Sequence, residues 1–202
     1  MKFRFVFTTS IISPEREQQY FDRITDSIKI LQHLPFEFYI VENNGPRKTL
    51  LDDISGARLL YTQTNANKAF TKIGIKEFHD LALLADKYEF EDDDIVIKLT
   101  GRYTLENPPT FLQTLPAFEY KYDAFLKWMH IWTAMYLYDD CILGLFALRF
   151  KYLKEFNYLE MTSHPSMEHI FAKYVRENVP NDRTAELKHL GIYFRGYKDM
   201  LV

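Results

Sequence analysis

The sequence predicts an α/β fold with a mostly parallel central sheet and helices on both faces. Three observations point there. Strand-like and helix-like segments alternate from the first residues in a β-α-β-α-β-α rhythm. Their spacing, in units of ~30 residues, is what parallel strands joined by crossover helices require. The 202 residues are 47% hydrophobic and 26% charged, enough apolar side chain for one core, so residues 1–202 are expected to form a single domain.

Phe3 to Thr9 is rich in strand formers. Ser13-Pro14 then offers an N-cap followed by proline at the first helical position, with Glu15 and Glu17 in the first turn. Phe21, Ile24, Ile28 and Leu31 recur at three and four, giving that helix one buried stripe before Pro35. Phe36 to Glu42 reads as a second strand, closed by the turn residues Asn43-Asn44-Gly45-Pro46. Leu50-Leu51 suits a short helix, Ala57 to Thr62 a third strand, and Ile73 to Tyr88 a further helix. Ile95 to Thr100 is a fourth strand, broken by Gly101.

The second half, from Glu106 on, has a less regular texture. Pro108-Pro109 and Pro116 punctuate loops, Ala124 to Trp128 and Cys141 to Phe150 read as strands, and Ser166 to Glu177 reads as a helix opening at His164-Pro165-Ser166.

Composition excludes several classes of function. With 25 basic and 28 acidic residues the chain is slightly acidic, so nothing asks for a nucleic acid or an anionic membrane as partner. The lone Cys141 forbids an internal disulfide and a multi-cysteine metal site and fits a reducing, cytoplasmic setting. Met1 to Arg4 begins like a signal peptide, but Thr8, Thr9 and Ser10 interrupt the apolar stretch. No run reaches the ~18 apolar residues of a membrane span. The 14 Tyr and 17 Phe serve either a core or stacking surfaces.

In such a sheet ligands bind at the carboxyl ends of the strands. Four polar segments converge there: Thr8-Thr9-Ser10, Glu42 to Gly45, Thr62 to Lys68, and Thr100-Gly101-Arg102-Tyr103. Lys68, Lys72 and Lys76 surround a helix start with Gly74 and suit either an anion or a solvated face. Lys98 and Arg102 flank Thr100-Gly101, where glycine marks close approach of a ligand, and Arg102 could grip a phosphate or pair with an acid. Asp92-Asp93-Asp94 is either a cation site or a solvated acidic turn, and it precedes its strand. Glu168 could be a general base or complement a helix dipole, and Asp139-Asp140 is a second candidate base. Dinucleotide, P-loop, zinc-protease and serine-hydrolase motifs are absent from the sequence.

These segments together resemble the nucleotide-diphospho-sugar transferases, the GT-A-type glycosyltransferases. Phe5 to Thr9, Tyr39 to Gly45, Lys72 to Glu77, Ile97 to Tyr103 and Pro165 to Glu168 carry the resemblance. It implies a nucleotide-diphospho-sugar donor and a saccharide acceptor, a nucleotide-binding half over 1–105 and an acceptor-side half over 106–202. The implied donor-binding residues are Thr8, Thr9, Glu42, Asn43, Asn44, Lys68, Lys76, Lys98, Thr100, Gly101, Arg102 and Tyr103, with Glu168 as catalytic base. Trp128, Trp132 and Tyr136 are implied as stacking residues for the acceptor. The family carries a metal-binding Asp-x-Asp at the end of the fourth strand, and here that position reads Thr100-Gly101-Arg102. Either the Asp92 to Asp94 run then holds a divalent Mn or Mg, or cations replace the metal. Two other functions stay open: a noncatalytic module binding a sugar nucleotide or a protein, and a metal-dependent phosphoesterase built on Asp92 to Asp94.

Overall fold

The computed structural model describes residues 1–128, 139–159, 166–194 and 200–201. Its first half follows the predicted alternation: β1 (Phe3–Thr9), α1 (Pro14–Leu31), β2 (Phe36–Glu42), β3 (Ala57–Tyr61), α2 (Ile73–Lys87) and β4 (Ile95–Thr100). Helix α1 starts where the Ser13 side chain accepts from the Arg16 amide, satisfying one of the donors that a helix start leaves over. Its buried stripe is Tyr20, Ile24, Ser27 and Leu31, with the predicted Phe21 and Ile28 at the border. Tyr20 turns inward against Gly101, where an added Cβ would meet its ring at 2.9 Å.

The second half contributes β5 (Tyr103–Leu105), β6 (Ala124–Leu126), β7 (Leu145–Arg149), α3 (Phe150–Glu155), α4 (Met167–Asn178), β8 (Thr184–Glu186), β9 (Ile192–Phe194) and β10 (Met200–Leu201). One sheet runs through both halves in the order β3-β2-β1-β4-β7-β6-β8, and β7 is its antiparallel strand. A small antiparallel sheet, β5-β9-β10, stands beside it.

Alternation along the strands divides the core into two layers. Phe5, Phe7, Ile95, Ile97 and Leu99 pack with Ile24 and Leu31 of α1 on one face. Val6, Val41 and Val96 pack with Phe78, Leu81 and Leu84 of α2 and Phe171 and Val175 of α4 on the other. Each such fully buried side chain contributes roughly 1.5–3 kcal/mol. The two covering layers hold β1, β2 and β4 parallel, so their carboxyl ends share one rim.

Several predicted boundaries are corrected. The strand expected over Cys141 to Phe150 spans Leu145–Arg149, and before it the bonds pass from β4 to Lys127 and to a side chain. The Ile142 amide donates to Lys127 O at 3.0 Å, Leu143 O accepts from Lys98 Nζ at 2.8 Å, and Gly144 O accepts from the Thr100 amide at 2.9 Å. The strand expected over Ala124 to Trp128 ends at Leu126. Around Pro116, expected as loop, Thr110–Glu119 forms a 3-10 helical run that buries Phe111, Leu115 and Phe118. The unforeseen β5, β8, β9 and β10 are two or three residues long, too short to carry a period.

Candidate active site

The carboxyl ends of β1, β2 and β4 open into a cleft of about 920 Å³. Thr8, Thr9 and Ser10 line it from the end of β1, and Asn43 and Asn65 from the turns after β2 and β3. Lys72, Lys76 and Glu77 reach it from the start of α2, Arg16 from α1, Thr100, Arg102 and Tyr103 from the end of β4, and Glu168 from the start of α4.

Beneath the floor lies a buried ammonium. Lys98 shares its strand face with Val96, so α2 covers it and its side chain is only 2% exposed. Its Nζ donates to Glu77 Oε2 at 3.1 Å, Thr100 Oγ1 at 2.7 Å and Leu143 O at 2.8 Å, one acceptor for each of its three hydrogens. Burial pulls its pKa down, and the Glu77 carboxylate opposes that shift. Glu77 Oε1 accepts in turn from Thr8 Oγ1 at 3.1 Å. One carboxylate thus ties the ends of β1 and β4 to α2.

A second buried carboxylate organises the nucleoside-side loops. Glu42 is fully enclosed and accepts from Thr9 Oγ1 at 2.7 Å, from the Ile11 amide at 3.1 Å, from the Asn44 amide at 3.2 Å and from Arg47 at 3.2 Å. Asn44 Nδ2 turns back to Ser10 and Glu42, and Asn65 Nδ2 donates to Asn44 Oδ1 at 2.6 Å. Lys76 Nζ bonds Asn65 O at 3.0 Å and Asn65 Oδ1 at 2.9 Å, which holds the ammonium at the cleft wall. Asp80, buried behind these turns, is shifted upward by burial although hydroxyls of Thr64 and Thr62 and the Asn43 side chain bond it.

The start of α4 also lines the cleft. Ser166 caps this helix through the His169 amide, and its hydroxyl also donates to Glu168 Oε2 at 2.8 Å. Helices α2 and α4 meet at Gly74, where an added Cβ would lie 2.6 Å from Met167 Cβ. Gly74 is therefore a packing glycine. The same holds for Gly101, whose missing side chain leaves room for Tyr20 and Thr9. Asp140 is buried and bonds the Cys141 amide at 2.9 Å, with His169 at 3.7 Å, whereas Asp139 is exposed. Burial drives the Cys141 thiol well above its ordinary pKa, with Asp140 and Glu168 adding to the shift.

Of the predicted site residues, Thr8, Thr9, Asn43, Lys76, Thr100, Arg102, Tyr103 and Glu168 line the cleft together. Glu42, Asn44, Lys98, Gly101 and Lys68 do not. The first four hold the wall from behind, and Lys68 is an exposed residue of the preceding turn. Trp128 is a correction: it is buried, with the Arg176 guanidinium 3.9 Å from its ring centre, so no sugar can stack there. Trp132, Tyr136, His164 and Pro165 lie outside the described residues. Glu77 and Arg16 were missed. For Glu77 a signal existed, since a lysine in the middle of a strand covered on both faces demands a nearby carboxylate.

The residues at the end of β4 do not fit a divalent cation. Among the described residues no three His, Cys, Asp or Glu side chains gather to hold one. Glu77 is occupied by Lys98 and Thr8, and Arg102 and Lys98 would repel a metal beside them. Asp92 to Asp94 sit at the opposite, amino end of β4, each with its own cation. Asp94 accepts from Arg4 Nε at 2.8 Å and from the Lys2 amide at 2.8 Å, Asp93 lies 3.6 Å from Arg149, and Asp92 bonds Lys154. The acidic run is a set of ion pairs that ties β1, β7 and α3 to the start of β4.

Several solved structures share the architecture. A glycosyltransferase involved in glycosylation of the major capsid of PBCV-1 aligns at a TM-score of 0.56 and 9% identity, covering 93% of this chain and 81% of that one. An active-site mutant of LgtC aligns at a TM-score of 0.57 and 9% identity over 97% of this chain and 88% of that one. The 4-diphosphocytidyl-2C-methyl-D-erythritol synthase of Anaerococcus prevotii aligns at 0.54 and 9% identity over 100% and 90%. No family model and no curated protein sequence matches the chain. The chain has the nucleotide-diphospho-sugar transferase fold.

Proposed function

We propose that the protein is a glycosyltransferase that moves a sugar from a nucleotide-diphosphate donor to a saccharide acceptor. The observation that carries this reading is the composition of the cleft at the carboxyl rim. Hydroxyls and amides of Thr8, Thr9 and Asn43, the cations Lys76 and Arg102 and a helix-start carboxylate, Glu168, line it together.

The hydroxyl and amide side, built from residues 1–105, suits a nucleoside, with Asn44 supporting it from behind. Arg102 and Lys76 take the diphosphate, whose charge grows as it departs. The bond from the sugar's anomeric carbon to the diphosphate oxygen breaks, and its electron pair leaves with the diphosphate. The acceptor oxygen bonds that carbon, and its proton passes to Glu168. The acceptor enters from the 106–202 side, past α4. With Asp92 to Asp94 paired at the far rim, the phosphoesterase alternative has no catalytic cluster to use.

The test is Arg102→Ala in a donor-hydrolysis and transfer assay with a panel of sugar nucleotides. Turnover should fall about 100-fold, of the order seen for losing one preorganised charge donor, while thermal unfolding stays as in the wild type because Arg102 is exposed. An unchanged rate overturns the assignment, and donor binding with neither hydrolysis nor transfer in the wild type favours the noncatalytic module.

A further inference from the structure

The disagreement between the end of β4 and a divalent cation has a consequence for how the site handles charge. We propose that it binds a nucleoside diphosphate without a metal ion, the charge being carried by Arg102, Lys72 and Lys76 over a floor that the buried Lys98 fixes in place. This rests on the reading of the cleft as a nucleotide-sugar site.

Three observations support it. First, the carboxylates a hard cation would need are already engaged: Glu77 holds Lys98 at 3.1 Å and Thr8 at 3.1 Å, and Glu168 accepts from Ser166 at 2.8 Å. Second, the lining is cationic. Arg16, Lys72, Lys76 and Arg102 line it against two carboxylates, Glu77 and Glu168, so it attracts a diphosphate and resists a divalent cation. Third, Lys98 is an ammonium buried at the centre of the sheet, where an apolar residue would pack with its neighbours Val96 and Phe146 at no desolvation cost. Stability alone gives no reason for it. It sits directly behind the hydroxyls of Thr8 and Thr100 and, through Glu77 and Thr100, sets the position of both. The Lys98–Glu77 pair therefore stands one layer behind the cleft wall and fixes the strand-end hydroxyls in place.

The experiment is calorimetric titration of the full chain with UDP, GDP, CDP and ADP, each in excess EDTA and again with Mn²⁺ or Mg²⁺. The expected result is that at least one of them binds in EDTA with a Kd within about threefold of its value in metal. That affinity should fall as salt is raised, since side-chain cations at an open cleft are screened. Binding that appears only with metal, or tightens more than about threefold, overturns this inference and leaves the glycosyltransferase reading standing. Silence of all four under both conditions overturns both.

Discussion

Lys98 and Glu77 are unequal partners in one ion pair. The lysine side chain is 2% exposed, whereas the glutamate keeps 20% of its side chain open to the cleft. Removing Glu77 strands a charge with no route to water, so Glu77→Met should cost roughly 3–5 kcal/mol, the range for breaking a buried pair. Lys98→Met leaves a carboxylate that the cleft can hydrate, and should cost less, about 2–3 kcal/mol. The double variant, with both charges gone and the space filled, should be more stable than either single one. Urea unfolding of the three variants checks this, and additive losses would mean the pair is not coupled. The polar residues at the strand ends were legible in the sequence because a parallel sheet sends them to one rim. Which of them border the cleft was not, since Glu42 and Thr8 are both buried and only the packing around them leaves Thr8 at its edge.

Helices α2 and α4 both line the cleft, and their starts touch at Gly74 and Met167. A methyl group at position 74 would sit 2.6 Å from Met167 Cβ, an atom next to the backbone that cannot swing aside. Gly74→Ala should therefore push the two helices apart, at a cost of about 1–3 kcal/mol typical of overpacking, and weaken nucleotide binding with it. Paired unfolding and titration measurements would show the two losses together; a stable variant with unchanged binding would mean the wall is not set by this contact. Elements with caps or long periods were readable. Ser13-Pro14 announced α1 because capping is a local transaction between a side chain and an amide three residues away, and the Ser166 cap of α4 has the same local reach. Strand β7 was misjudged at its start because there the Leu143 carbonyl accepts from the Lys98 side chain and the Ile142 amide donates to the Lys127 carbonyl, contacts that no local pattern encodes.

At the scale of the molecule, three strands of the second half are clamped by one carboxylate. Asp123, just before β6, accepts from Arg149 Nε at the end of β7 at 2.6 Å and from Arg183 Nε just before β8 at 2.6 Å. Burial alone would raise its pKa, but the hydrogen bonds and charges of Arg183 and Arg149 prevail and hold it below the ordinary value. A depressed folded-state pKa stabilises fully above the unfolded value of about 3.9, and that stability is lost as pH falls through the folded value. Asp123→Asn should cost roughly 3–5 kcal/mol at neutral pH and flatten the acid limb of the stability curve below about pH 4, as read by denaturant unfolding across pH. An unchanged acid limb would assign acid sensitivity to other groups. The α/β class, the parallel first half and the rim that holds the cleft were written into hydrophobic period and turn chemistry, which act over a few residues. The pairing of Lys98 with Glu77, the burial of Trp128 and the neutralisation of Asp92 to Asp94 came from the assembled fold. Each depends on charges and surfaces brought together across long stretches of chain, and the cost of burying a charge is decided by what meets it there.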